Sequence, residues 1–198
     1  MDAAIATLFC NGLISSHSMG IGGGFLMTIY EKASGNVVAI DARESAPALA
    51  SIDMFHSNAS LSASGGLSVA VPGEIKGYAK AKELFGNPQV PWERLIQPSI
   101  DLARNGIPVT FSKASALAGS KEAIFRDPGM REIYINPDTN DTWKEGDTYR
   151  RPNFADTLAR IAKLGFQEFY QGRTGQNFVK DLSQLGGIIS LQDLKDYK

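Results

Sequence analysis

The sequence is short of three things that would point to particular classes of protein. It has one cysteine in 198 residues, which excludes an internal disulfide framework and a zinc cluster built on several thiolates. Its charges nearly cancel, with 20 basic and 21 acidic residues, and it lacks the basic excess that nucleic-acid-binding domains carry. Its longest apolar stretches reach at most about half of the ~20 residues that a membrane-spanning helix needs. What remains, 43% hydrophobic and 21% charged residues, is the composition of a globular protein with a core.

Both ends of the sequence suggest a piece of a longer protein. Residues 2–10 form an apolar segment that begins as if already inside a helix. Near the other end, Ser190-Leu191-Gln192-Asp193 has the pattern of a capping box, which opens a helix shortly before the sequence stops. We therefore expect residues 1–198 to form one partial domain, incomplete at both ends. A complete small domain is the alternative.

Apolar periodicity, capping residues and turn residues predict a protein of mixed helix and strand. Two strands at 25–30 and 37–40 are expected to form an antiparallel hairpin, and a third strand is expected at 67–71. Pro98 is expected to split the helical stretch that contains it. Helices are predicted over residues 3–13, 74–85, 95–104, 112–125, 154–164, 174–185 and from 191 onward.

The glycines concentrate in the run Gly20-Ile21-Gly22-Gly23-Gly24-Phe25. This run departs from the dinucleotide-binding fingerprint, which needs a glycine where Phe25 stands and a strand before the loop rather than after it. Glycines also permit a backbone to approach something closely. What lies against these glycines could be a neighbouring strand or a ligand, and the residues alone do not decide between the two.

Arg43 follows the predicted hairpin within Asp41-Ala42-Arg43-Glu44. An arginine at a strand end can hold a carboxylate through two parallel N–H···O bonds, a geometry that lysine does not reproduce. The alternative is an ion pair of Arg43 with Asp41 or Glu44. The residues alone favour the ion pair.

No catalytic constellation can be assembled from the other reactive residues. His17 and His56 are far apart in sequence, and the chain has one cysteine to add to them. No metal site is therefore predicted, and no cofactor is expected. Cys10 falls on an apolar helix, so we expect it to be a buried structural thiol. No G-x-S-x-G elbow is present.

Two N-glycosylation sequons lie in predicted loops, at Asn58-Ala59-Ser60 and Asn140-Asp141-Thr142. Both asparagines are candidate glycosylation sites. Two sequons occur often by chance in a chain of this length, so they support a secreted setting only weakly.

Eight motifs, in order along nearly the whole chain, resemble the large subunit of the γ-glutamyltranspeptidase family. They are Asp2-Ala3-Ala4-Ile5-Ala6, residues 17–24, Ala42-Arg43-Glu44-Ser45-Ala46-Pro47, residues 66–74, Pro91-Trp92 with Gln97-Pro98-Ser99-Ile100, residues 102–106, Gly165-Phe166 with Phe169-Tyr170-Gln171-Gly172, and Gly186-Gly187-Ile188 with Asp193-Leu194. The resemblance is weakest from 114 to 147.

The resemblance implies an α+β fold, a partial αββα sandwich of the N-terminal nucleophile hydrolase type. It implies a precursor that cleaves itself into a large and a small subunit, with a threonine at the start of the small subunit as nucleophile. The γ-glutamyl group of glutathione or a conjugate is transferred to that threonine, and water or an acceptor amino acid or dipeptide then removes it. No segment of this sequence resembles the small subunit, so we expect no catalytic residue here and no activity from this chain alone.

Particular residues gain a role by the resemblance. Arg43 is expected to bind the α-carboxylate of the glutamyl group, with Glu44 orienting it, and the run at 20–24 is expected to pack closely against strands. Cys10 is expected to have its disulfide partner upstream, where a signal peptide or membrane anchor would place the protein outside the cell or on its surface. A non-catalytic truncated relative, acting as a binding or regulatory chain, and an amide hydrolase of the cephalosporin acylase type are the alternatives.

Overall fold

A computed structural model of the protein describes all of residues 1–198. No helix is both long and apolar enough to cross a membrane. The helices are α1 (Asp2–Ile14), α2 (Glu74–Phe85), α3 (Trp92–Asn105), α4 (Phe111–Gly119), α5 (Lys121–Arg126), α6 (Pro128–Tyr134), α7 (Pro152–Leu164), α8 (Gln167–Tyr170), α9 (Arg173–Gln184) and α10 (Leu191–Asp196). The strands are β1 (Phe25–Glu31), β2 (Asn36–Ala42), β3 (Ile107–Pro108), β4 (Ile135–Asn136), β5 (Asp141–Thr142) and β6 (Thr148–Tyr149), paired as β1–β2, β3–β6 and β4–β5.

The chain forms two compact units. The first comprises residues 1–20 and 87–162, and the second comprises residues 21–86 and 163–198. Each unit is therefore built from two separate stretches of sequence. The single domain expected from the sequence stays a prediction.

In the first unit, α1 packs against α3 through an apolar stripe. Ile5, Phe9 and Leu13 recur every four residues on α1 and are all buried, as one face of a 3.6-residue helix requires. The ring of Trp92 meets Phe9 edge-on at a centroid distance of 5.7 Å, and its indole N–H donates to the Ile161 carbonyl at 3.1 Å. Burial of each such side chain contributes about 1.5–3 kcal/mol.

The first unit also buries a charge. Lys113 on α4 is 1% exposed, and its ammonium donates to the Leu13 carbonyl at 2.7 Å and to the Tyr149 hydroxyl. Leu13 lies in the last turn of α1, whose carbonyls lack partners within the helix. Lys113 therefore completes the end of α1, and burial together with the charge of Arg151 lowers its pKa to about 8.

In the second unit, the β1–β2 hairpin packs one face on α2. The register places Phe25 opposite Ala42, and both contact the helix at Gly77, where an added Cβ would lie 2.4 Å from the Ala42 Cβ. Phe25 also stacks on Tyr78 of α2 at 5.2 Å between ring centroids. The hairpin is therefore fixed to α2 at the end where β2 runs into Arg43.

The predicted hairpin and most predicted helices are confirmed, but the strand expected at 67–71 is wrong. Residues Gly66–Ser68 form a short 3-10 helix instead. Gly66 donates its N–H to the Leu185 carbonyl at 3.2 Å, and an added Cβ there would lie 2.5 Å from that oxygen. The segment thus packs against the turn that follows α9. Within 67–71, only Val71 makes an antiparallel bridge, and its partner is Ser45.

The break expected at Pro98 is also wrong, because α3 is one continuous helix. The N–H that proline lacks would have bonded to the Arg94 carbonyl. Pro98 and Arg94 both lie on the exposed face of α3, where water can satisfy that carbonyl.

The helix expected over 112–125 is divided at Ser120 into α4 and α5. The N–H of Ser120 bonds to the carbonyls of Ala116 and Leu117, which ends the first helix. Gly119 and Ser120 are both weak helix formers, which accounts for the position of the break.

Candidate functional site

Arg43 is the first residue after β2, and a hydrogen bond holds its backbone while its side chain is exposed. Its N–H donates to Asp41 Oδ1 at 3.0 Å, so the chain turns as it leaves the strand. The Arg43 side chain is 62% exposed. A guanidinium carries five N–H donors, and at this exposure a ligand can reach it from the solvent.

Gly24 packs closely against the backbone of this turn. A Cβ at Gly24 would lie 2.4 Å from the Ala42 carbonyl oxygen and 3.0 Å from the Glu44 nitrogen. No larger residue therefore fits without moving residues 43–48, which we call the Arg43 loop. By contrast, Gly20 and Gly22 have nothing within 4 Å of an added Cβ. The close packing expected for the whole run is therefore wrong at Gly20 and Gly22, and in the run it is found at Gly24.

Glu44 forms the ion pair that the residues alone favoured. Its Oε2 lies 3.1 Å from Nη1 of Arg43, and this buried oxygen forms no hydrogen bond. The pair occupies one edge of the guanidinium. The other N–H groups stay available to a ligand, which fits the orienting role expected for Glu44.

The Arg43 loop borders an open cavity of about 690 Å³, within the usual range for small-ligand sites. Four carboxylates and two cationic side chains contribute to its wall, so the surroundings of Arg43 are acidic. The lining residues are Asp41, Arg43, Glu44, Ser45, Ala46, Ala48, Val71, Asp193, Asp196, Tyr197 and Lys198.

The capping box at the start of α10 also holds this loop. Asp193 Oδ2 accepts from the Ser190 hydroxyl and N–H, which confirms the predicted capping box, while its Oδ1 accepts from the Ala48 N–H at 2.7 Å. Burial by itself would raise the pKa of Asp193, but these hydrogen bonds outweigh burial and lower that pKa. The carboxylate is thus charged at neutral pH and ties the loop to α10.

Sequence reasoning missed one residue of the site. The hydroxyl of Tyr197, just beyond α10, donates to the Arg43 carbonyl at 2.6 Å. The two residues are 154 positions apart, so no local pattern could have paired them. The resemblance of Asp193-Leu194 to a family motif was the one signal close to Tyr197.

The two sequon asparagines lie outside this cavity wall, and both are exposed. Asn58 Oδ1 accepts from the N–H and hydroxyl of Ser60 at 3.1 and 2.6 Å. Asn140 has a φ of +52°, in the left-handed region that asparagine tolerates. Their use as glycosylation sites stays a prediction.

The expected burial of Cys10 is wrong. Its thiol is free, and the residue is partly exposed. The buried face of α1 carries Ile5, Phe9 and Leu13, and Cys10 lies about 100° further round the helix than Phe9. His17 Nε2 lies 3.3 Å from the Ser112 hydroxyl. No cluster of three or more His, Cys, Asp or Glu side chains is placed to hold a metal ion.

The helices and two-stranded sheets make an α+β fold. The solved structures on which it superposes are of the N-terminal nucleophile hydrolase type. The sequence model of the family described as Gamma-glutamyltranspeptidase matches residues 1–198. The chain therefore belongs to the γ-glutamyltranspeptidase family, which confirms the resemblance and the fold class.

Curated relatives match over the whole of this chain. It is 43% identical to Scoloptoxin SSD14 of Scolopendra dehaani, covering 34% of that protein. It is 38% identical to Glutathione hydrolase 3 of Arabidopsis thaliana, covering 30%. The chain thus spans about a third of the length of these relatives.

Solved structures agree with the fold. The γ-glutamyltranspeptidase of Helicobacter pylori superposes with a TM-score of 0.93 at 32% identity, over 100% of this chain and 57% of that one. A cephalosporin acylase from Bacillus halodurans superposes with a TM-score of 0.87 at 23% identity, over 100% of this chain and 37% of that one. The second likeness concerns the fold alone.

Proposed function

We propose that the protein to which this chain belongs transfers or hydrolyses the γ-glutamyl group of glutathione and its conjugates, and that Arg43 binds the α-carboxylate of that group. The exposed guanidinium on a fixed loop is the observation that carries the proposal. Relatives named as glutathione hydrolases, 35–40% identical over the whole chain, support the substrate class.

The chemistry of the γ-glutamyl group suits this cavity. Its free α-carboxylate is a planar acceptor that two parallel N–H groups of a guanidinium can bind. Its α-ammonium is a cation, and the acidic wall formed by Asp41, Glu44, Asp193 and Asp196 complements that charge. Neutral substrates would gain from neither feature.

The nucleophile is proposed to lie on a small subunit cut from the same precursor. Its terminal threonine hydroxyl would attack the γ-carbonyl, with the threonine α-amino group as base, and release the amine of the leaving peptide. Water, or the amine of an amino acid or dipeptide, would then cleave the resulting ester. On this account the 198-residue chain alone is inactive.

The hairpin offers a surface for such a partner. Leu26, Tyr30 and Val37 share one face of the β1–β2 hairpin and are 64–70% exposed. Exposed apolar clusters of this kind mark interaction sites in folded proteins. An extracellular or cell-surface location, with exposed Asn58 and Asn140 as glycosylation sites, completes the proposal.

The test is Arg43→Lys in the complete protein, with release of p-nitroaniline from γ-glutamyl-p-nitroanilide as the readout. Loss of one bond of a charge-assisted pair costs about 1.5–3 kcal/mol, so KM should rise roughly 10- to 150-fold. Arg104→Lys is the matched control, because Arg104 pairs with Asp156 on the surface and is 49% exposed. Its KM should equal that of the wild type.

The same assay separates the proposal from its alternatives. A wild-type protein that releases no product from γ-glutamyl donors would be a non-catalytic relative. Preference for a donor without a γ-glutamyl group would indicate an acylase-type amide hydrolase. An unchanged KM in Arg43→Lys would refute the role assigned to Arg43.

A further inference from the structure

The Tyr197 hydroxyl bonds to the one peptide group that joins Arg43 to Glu44. Its acceptor is the Arg43 carbonyl, at 2.6 Å, and the same peptide unit carries the nitrogen of Glu44. The rotation of this unit sets the direction in which both side chains leave the backbone. A hydrogen bond to it therefore acts on the cation and on its ion-pair partner together.

Tyr197 is itself held firmly. It is 8% exposed, and its ring stacks on Tyr170 at 6.0 Å with 18° between the planes. The ammonium of Lys76 lies 5.8 Å from the ring centroid and also donates to the Tyr197 carbonyl. The hydroxyl is thus presented to Arg43 by a ring that has little freedom of its own.

Space for the hydroxyl is provided by Gly73. A Cβ on Gly73 would lie 2.0 Å from the Tyr197 oxygen and 2.4 Å from the Ala42 carbonyl. Gly73 and Glu74 each donate an N–H to the Gly23 carbonyl at 3.0 Å. The start of α2, the glycine run and the end of β2 therefore meet around this hydroxyl.

The hydroxyl remains a donor at neutral pH. Burial, with the nearby carboxylates of Asp41 and Glu44, raises the pKa of Tyr197. A protonated phenol can donate to a carbonyl, whereas a phenolate cannot. The bond to Arg43 is thus present throughout the physiological range.

From this geometry we infer that Tyr197 is a positioning residue for substrate binding: it aims the Arg43 guanidinium at the α-carboxylate of the donor by fixing the Arg43 peptide. The inference rests on the proposed function of Arg43. It adds a residue far along the chain whose hydroxyl acts on the substrate through the Arg43 peptide.

The test is Tyr197→Phe in the complete protein, which removes the hydroxyl and keeps the stacked ring. Loss of one neutral hydrogen bond should raise KM for γ-glutamyl-p-nitroanilide about 2- to 10-fold, with kcat within about 2-fold. In an Arg43→Ala background the same change should leave KM unaltered, because the group it aims is absent.

Tyr78→Phe is the structural comparison. Tyr78 is a buried tyrosine of the same unit whose hydroxyl bonds to Glu74 rather than to the Arg43 loop. This variant should lower the melting temperature without raising KM. Equal rises in KM for Tyr78→Phe and Tyr197→Phe would overturn the inference, because the effect would then follow from general loosening.

The outcomes distinguish this inference from the function on which it rests. Inactive wild-type protein, or an unchanged KM in Arg43→Lys, overturns the proposed function. Active wild-type protein with a raised KM in Arg43→Lys but not in Tyr197→Phe overturns only the role of Tyr197. An additive effect of Tyr197→Phe in the Arg43→Ala background does the same.

Discussion

Lys113 and Arg43 show two opposite uses of a cation in this chain. Lys113, in the first unit, is 1% exposed and directs its donors at the Leu13 carbonyl and the Tyr149 hydroxyl. Arg43, in the second unit, has a backbone held by Asp41 and Tyr197 but a side chain that is 62% exposed. One cation is used within the fold and the other is presented by it.

Burial and internal hydrogen bonds separate a structural cation from one that binds a ligand. A buried cation must find internal partners, because its desolvation is otherwise too costly. A cation meant for a ligand must keep its donors free while its backbone is fixed in advance. A hydrogen-bonded backbone and an exposed side chain, taken together, are what the proposed binding role of Arg43 requires.

The largest effect on stability is expected for Lys113→Ala. It leaves the Leu13 carbonyl and the Tyr149 hydroxyl without their partner and opens a cavity, which should lower the free energy of unfolding by about 2–4 kcal/mol. Chemical denaturation of the complete protein measures this. Arg43→Ala, at an exposed position, should change the same quantity by less than about 0.5 kcal/mol. Equal losses in the two variants would remove the distinction between the two cations.

Gly24 and Gly22 offer a matched pair within one loop. Gly24→Ala forces a Cβ to within 2.4 Å of the Ala42 carbonyl, and overpacking of this kind costs about 1–3 kcal/mol. It should both destabilise the protein and raise KM for γ-glutamyl donors, since the Arg43 loop must move. Gly22→Ala meets nothing within 4 Å and should be neutral in both measurements. A neutral Gly24→Ala would show that the loop has no fixed position.

A smaller effect is expected from pH. Burial lowers the pKa of Lys113 to about 8, below its unfolded value of 10.5, so between these values the unfolded chain binds more protons. The free energy of unfolding should therefore rise with pH, by about 1–2 kcal/mol between pH 8 and 9.5. The raised pKa of Tyr149, about 12, acts in the opposite direction only above pH 10.

Lys113→Met provides the reference for this titration, because it keeps the length of the side chain and removes the ionisable group. The difference in unfolding free energy between wild type and Lys113→Met should shift in favour of the wild type as pH rises. A difference that stays constant from pH 8 to 9.5 would mean that Lys113 has its ordinary pKa in the folded protein.

Local patterns predicted the elements whose causes are local. Two apolar runs at 25–30 and 37–40, separated by a short turn, predicted the hairpin. The Ser190–Asp193 capping box predicted the start of α10, and the motif around Arg43 supplied the binding candidate. The strand expected near Val71 failed because the segment bonds to the distant turn at Leu185. The break predicted at Pro98 is absent because Pro98 lies on the exposed face of α3, and tertiary packing determines which face is exposed.

Within the site, the sequence supplied Arg43 as a candidate but did not predict the residues that hold its backbone in place. Neither the approach of Tyr197 to the Arg43 carbonyl nor the space that Gly73 leaves for it follows from spacing along the chain. The glycine run likewise gave no sign of which member was crowded. Such contacts depend on how separate stretches pack, and only coordinates reveal them.

If Arg43 binds the α-carboxylate of the γ-glutamyl donor, as we propose, its removal abolishes discrimination between donors with and without that charge. The kcat/KM of the complete protein is measured for γ-glutamyl-p-nitroanilide and for its analogue with an α-carboxamide, in the wild type and in Arg43→Ala. We predict that the wild type prefers the carboxylate donor roughly 10- to 150-fold, as one charge-assisted contact allows, and that Arg43→Ala loses this preference. A preference of the same size in both proteins would contradict the claim.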